Sequence, residues 1–97
     1  MINTEDILDT LMSLKSDLRV SFHVNEIGVF GSVIRGEQND SSDIDVLVGL
    51  DKEADLFDLI GLSQFLEERL HNKVDVVPQS ALRPELREQV LREVRYV

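Results

Sequence analysis

An α/β fold, with a small mixed sheet carrying acids on one face and helices packed on the other, is what these 97 residues predict. Leucine and isoleucine recur at helical spacing over 4–20 and again over 54–70. Short runs dominated by valine and isoleucine, at 27–30, 43–48 and 74–77, read as strands. Helical and extended patterns then alternate along the chain, with no linker, repeat or low-complexity segment between them. A single domain spanning residues 1–97 is expected, because typical domains run to roughly 100–200 residues.

The first helix, 4 to about 20, sets Ile7, Leu8, Leu11, Leu14 and Leu18 on one face. Glu5 and Asp6 lie in its first turn, where the helix dipole favours acids, and Asn3 or Thr4 can cap it. Val20 to Glu26 reads as a connector, and its His23 is given no role. Ile27-Gly28-Val29-Phe30 is a buried strand that breaks at Gly31-Ser32, makes one helical turn through Arg35-Gly36 and loosens into a polar loop. The next strand runs from Asp43 to Val48, and its alternation sends Asp43 and Asp45 to one side and Ile44, Val46 and Val48 to the other.

Gly49 to Glu53 is an acidic turn before the second long helix, 54–70. There Leu56, Phe57, Leu59, Ile60, Leu62, Phe65, Leu66 and Leu70 make a stripe broad enough to be core packing. Gly61 inside it costs about 1 kcal/mol relative to alanine, which the close approach of a neighbour would justify. His71-Asn72-Lys73 turns the chain into the strand Val74-Asp75-Val76-Val77, whose carboxylate needs a partner among three valines. Pro78 ends that strand, and Ser80 or Arg83 leads into a last helix with Pro84 in its first turn. Leu82, Leu86, Val90 and Val94 form its stripe, and Glu88 with Arg92 makes a surface pair.

Composition narrows the function. With no cysteine, disulfides, thiolate metal sites and a thiol nucleophile are excluded. The N-terminal MINTEDILDT lacks a basic region followed by an apolar run, and no segment nears the ~18 apolar residues of a membrane span. A cytoplasmic protein without membrane contact is therefore expected. Nineteen acids against ten bases give a net charge of -9, whereas proteins that track a nucleic-acid backbone carry a basic stripe. Here Arg83, Arg87, Arg92 and Arg95 are interleaved with Glu85, Glu88 and Glu93, so polymer nucleic acid is not expected as a direct ligand. A cation, a nucleotide carried with its cation, or a basic protein partner remain open.

Three carboxylates, Asp43, Asp45 and Asp75, sit on predicted strands and converge if those strands are neighbours with matching faces. Like charges so placed resist joint ionisation, and a hard divalent cation such as magnesium or manganese relieves them. A carboxylate trio can hold two such ions about 3.5–4 Å apart. Gly31-Ser32, a glycine turn opening into a helix, offers N–H groups to phosphate. Each feature alone is common in purely structural settings; their order along one chain is far more specific.

That order, Gly31-Ser32 followed after ten residues by Asp43-Ile44-Asp45 and later by Asp75, resembles the signature of the polymerase-beta-like nucleotidyltransferase superfamily over residues 27–97. The run Ser32-Val33-Ile34-Arg35-Gly36 is similar to that of the minimal nucleotidyltransferases (MNT), prokaryotic antitoxins commonly paired with a HEPN-domain toxin. Ile34 departs from the alanine many relatives carry there; the change concerns packing and removes no ligand.

The resemblance implies that Asp43 and Asp45 bind magnesium, with Asp45 bridging two ions. Asp75 then completes the site for the ion that activates the acceptor hydroxyl. Gly31 and Ser32 hold the triphosphate, and Arg35 either contacts a phosphate or makes a structural ion pair with Asp40 or a strand acid. The implied function is transfer of AMP from ATP to a hydroxyl of a partner HEPN toxin. Two readings stand beside it: an antitoxin that neutralises by binding alone, its acidic surface meeting a basic partner, and modification of a small-molecule drug.

Overall fold

The computed structural model describes residues 3–37 and 41–97. Helix α1 (Thr4–Phe22) is capped by the Asn3 side chain, which accepts the Asp6 N–H, and ends at His23 in the left-handed region (φ 59°). It runs further than its periodicity predicts, and strand β1 (Val24–Phe30) starts immediately after it. The expected connector 20–26 is thus helix end and strand start. A register shift between Val24 and Glu26 leaves Asn25 and Glu26 exposed, which breaks the alternation that marks a strand in sequence.

A single turn, α2 (Ser32–Arg35), leads toward β2 (Ile44–Leu50). Helix α3 (Leu56–Leu70) begins at a reciprocal capping box between Asp55 and Asp58. Strand β3 (Val74–Pro78) passes through a 3-10 turn (Gln79–Ala81) into α4 (Pro84–Glu93), with Pro84 in the first turn as expected. The chain then adds a strand the sequence did not announce, β4 (Arg95–Tyr96). Strand order is β3-β2-β1-β4; β1 is antiparallel to β2 and β4, and β2 is parallel to β3.

The core lies between one face of this mixed sheet and α1 with α3. Ile7, Leu11 and Leu18 from α1, and Leu62, Leu66 and Leu70 from α3, meet Ile27, Val29, Ile44, Val46, Val48 and Val74 from the strands. Apolar burial of this kind is worth about 25 cal/mol per Å² and is what holds so short a chain together. Gly61 answers the expectation: a Cβ there would stand 3.1 Å from the ring of Phe22, so α1 and α3 approach closely at that point.

Two sequence expectations are corrected. The α3 stripe is not all core, since Leu56, Phe57 and Ile60 are exposed, Phe57 to 83%; hydrophobicity alone cannot tell a packed face from an open one. Nor do all helices lie opposite the acids. Helix α4 crosses the acid-bearing face, with Val90 buried against it and Glu93 reaching the end of β1, and Leu47 is also buried there.

Candidate active site

The strand ends decide what meets. In the β2–β3 ladder Asp45 pairs with Asp75, and in the β1–β2 ladder Phe30 pairs with Asp45, so the three side chains lie in one row on one face. Gly31 follows Phe30 and starts α2 with φ 82°, a conformation that glycine adopts without strain. A Cβ at Gly31 would collide with the Asp45 carboxylate, so glycine is required here on both counts. The Gly-Ser turn and the central acid are therefore in contact.

Helix α2 is a single turn. Its position is set from two sides: the Thr4 hydroxyl donates to Val33 O at 3.1 Å, and the Gly31 N–H donates to Glu93 Oε1 at 2.9 Å. The first N–H groups of any helical turn lack intrahelical partners, and here they belong to the Ser32 end, beside Asp45.

Asp45 is half-buried, and its carboxyl is pushed up to about 6. Loss of water contributes most, followed by the charges of Asp75 and then Asp43; Arg35 opposes them, and Glu93 adds to them. Asp43 is exposed and lies just before β2 rather than on it, so the expectation that it sits on the strand is corrected by one position. Asp75 is exposed too. Its three valine neighbours do not bury it, because Val74 and Val76 point into the core while Asp75 takes the other face. All three acids act on one locus; their oxygens, however, do not form a group within 4.8 Å. Among the described residues the group that does is His23, Asp51 and Glu53, at the opposite ends of β1 and β2 from the Gly-Ser turn.

Arg35 stands between two carboxylates. Its Nε donates to Glu37 at 3.0 Å and its Nη1 to Glu93 at 3.1 Å, which together raise its pKa further above the ordinary value. The expected strand-acid partner is replaced by these two glutamates, and Asp40 lies outside the described residues. Sequence reasoning missed Glu93. The signal was present: Glu93 falls three residues after Val90 and seven after Leu86, on the inward stripe of α4, where a carboxylate is out of place.

Beside the acids opens a cavity of about 260 Å³, lined by Asp45 and Asp75 together with Phe30, Val77, Leu86 and Val90, and with Arg83 contributing at its edge. It spans the sheet face from Phe30 of β1 past Asp45 to Asp75 and Val77 of β3, and the Gly-Ser turn follows directly on Phe30. The arrangement places a polar turn able to take an anion beside a mostly apolar cavity that two of the carboxylates, Asp45 and Asp75, line.

Residues 11–97 match the profile of the nucleotidyltransferase domain. Across its whole length the chain is 43% identical to the protein adenylyltransferase MntA of Thermococcus cleftensis, covering 98% of that protein. Its fold superposes with a TM-score of 0.74 on a presumed minimal nucleotidyltransferase, 38% identical, covering 91% of this chain and 93% of the other. A toxin–antitoxin structure with AMP-PNP superposes with a TM-score of 0.73 at 28% identity, over 91% of this chain and 69% of the other.

Proposed function

We propose, from the premise that this chain belongs to the nucleotidyltransferase domain family, that it transfers AMP from ATP to a hydroxyl of a partner HEPN toxin and so acts as its antitoxin. That the protein is a nucleotidyltransferase enzyme follows from the family; the acceptor, the nucleotide and the metal are the proposal. The observation that carries it is the row Asp45–Asp75 set against the Gly31-Ser32 turn.

The acids fit a hard divalent cation. Their donors are all oxygen, and Asp45 is held back from ionising by lost hydration and then by the charges of Asp75 and Asp43, which a cation would offset. Asp43, Asp45 and Asp75 would hold magnesium, two ions being the number such trios accommodate. Bound there, magnesium would lower the barrier to attack by the acceptor hydroxyl and neutralise charge on the phosphates.

The chain's own residues divide the remaining work. The Gly31-Ser32 turn, through the N–H groups at its Ser32 end and the Ser32 hydroxyl, takes the triphosphate on the β1 side, the Gly31 N–H being held by Glu93. The acceptor would enter through the cavity that Asp75 lines, its hydroxyl attacking the α-phosphate in line with the departing pyrophosphate. Asp75 is placed to receive the acceptor's proton. The apolar wall of Phe30, Val77 and Val90 excludes water that would otherwise compete as acceptor.

The curated relative is a protein adenylyltransferase and a structural neighbour is a toxin–antitoxin structure with AMP-PNP, which favours a protein acceptor over a drug. To test the reading, the protein is incubated with its co-expressed partner, magnesium and ATP labelled at either the α or the γ phosphate. Label from the α position is expected on the partner, and Asp43→Asn with Asp45→Asn should abolish it while still binding the partner. Label from the γ position would mean a kinase. Full neutralisation by the double variant, with no mass increase on the partner, would mean an antitoxin that acts by binding alone.

A further inference from the structure

The geometry points to Glu93 as the residue that positions Arg35 for a nucleotide phosphate. The inference rests on the proposed role of the Gly31–Arg35 segment and adds a residue to it.

One carboxylate oxygen does two things. Glu93 Oε1 accepts the Gly31 N–H at 2.9 Å and Arg35 Nη1 at 3.1 Å, and Oε2 takes a second bond from Nη1 at 3.2 Å. The arginine is thereby registered directly to the first residue of the turn. An arginine side chain is long and loses rotamer freedom when it is ordered, so a guanidinium fixed before the ligand arrives binds with less entropic loss. Glu37 holds Nε from the other side, and among the described residues Nη2, between the two held nitrogens, carries no partner. The third nitrogen is the one left for a ligand oxygen.

The clamp is built into the fold. The Glu93 side chain is only 16% exposed, against 63% for Glu37, so Glu93 is the firmer of the two holds. It is the last residue of α4; the cap bond from the Val94 N–H to Val90 O and the pairing of Arg95 with Val29 fix the corner that follows. Arg95 is in turn bonded to Glu5, which anchors that corner to the start of α1. Glu93 touches neither the acid row nor a reacting atom, so it is a positioning residue.

The test is a double-mutant cycle read by calorimetric titration of ATP with magnesium, with the melting temperature of each variant recorded. Glu93→Gln keeps an acceptor for the Gly31 N–H but gives up the charge that holds the guanidinium. It should weaken ATP about tenfold and leave the melting temperature little changed. Arg35→Ala should weaken ATP at least as much, and the double variant no more than Arg35→Ala alone. Losses that add independently would overturn the proposal, as would an unchanged or tighter ATP affinity in Glu93→Gln, the latter marking a carboxylate that occupies the phosphate's place. Loss in Arg35→Ala with none in Glu93→Gln refutes Glu93 alone; silence in Arg35→Ala refutes the phosphate role of Arg35 and the proposal with it. If Glu93→Gln fails to fold, Arg35→Lys tests the same geometry, because an ammonium cannot be held on two sides and still present a third nitrogen. It should lose affinity as Arg35→Ala does, and native affinity in Arg35→Lys would overturn the proposal.

Discussion

Replacing Asp45 with asparagine should stabilise the metal-free protein. The Asp45 carboxyl titrates near 6 in the fold against 3.8 for the unperturbed group, chiefly through lost hydration and then through Asp75 and Asp43. Well below 3.8 the group is neutral in both folded and unfolded chains and has no effect on the balance. Between the two values the folded form keeps a proton that the unfolded form has lost, so stability falls as pH rises from about 4 to about 6 and stays lower above.

Two units would correspond to about 3 kcal/mol if the group were fully desolvated. Asp45 is only half-buried, and solvent screening reduces the figure to about 1 kcal/mol. In a domain of this size that is worth about 4–8 °C in Tm. Thermal melts followed by circular dichroism, in chelator at pH 7.5 and pH 4, should give the variant that advantage at the higher pH and only a small part of it at the lower. Adding magnesium with ATP should then raise the native protein's Tm more than the variant's. An unchanged or lower Tm at pH 7.5, or the same gain at both pH values, would refute the account of a repelling acid row.

Other changes follow from the same structure. Gly31→Ala forces a Cβ onto the Asp45 carboxylate at a backbone φ of 82°; it should cost about 2 kcal/mol or more in urea unfolding and abolish ATP binding. Asp55→Ala removes the half of the α3 capping box in which its side chain accepts the Asp58 N–H, and should cost about 1 kcal/mol, with the ATP dissociation constant unchanged.

Much of this architecture was legible because burial imposes periods. The stripe of α1, the alternation in β2 and the glycine break after Phe30 all survive in the structure, whereas of the expected α4 stripe only Val90 is buried, Leu86 being exposed and Leu82 and Val94 lying outside the helix. The Glu88–Arg92 pair forms at 3.3 Å as the i, i+4 rule suggests. What was not legible depended on tertiary contact. The irregularity at Asn25 disguised the start of β1, and β4 is too short to show any period. The exposed Leu56, Phe57 and Ile60 look in sequence like their buried neighbours. At the site, Asp45 and Asp75 were readable as strand acids, but their pairing needed the register of β2 on β3. The partners of Arg35 needed the fold as well, since Glu93 is distant in sequence and only the path of α4 and β4 brings it back.

That return path gives the chain an order of assembly in time. A polypeptide leaves the ribosome from its N-terminus, and structure forms behind the growing end. The Gly-Ser turn and the acids at 43, 45 and 75 are synthesised well before residue 93 and the strand at 95–96. A nascent or prematurely terminated chain would therefore carry every acid of the row while its arginine is held by Glu37 alone and β1 still lacks its outer neighbour. Such a chain would hold its acids ready before its nucleotide turn is fully braced, and the last residues to be synthesised would complete the site.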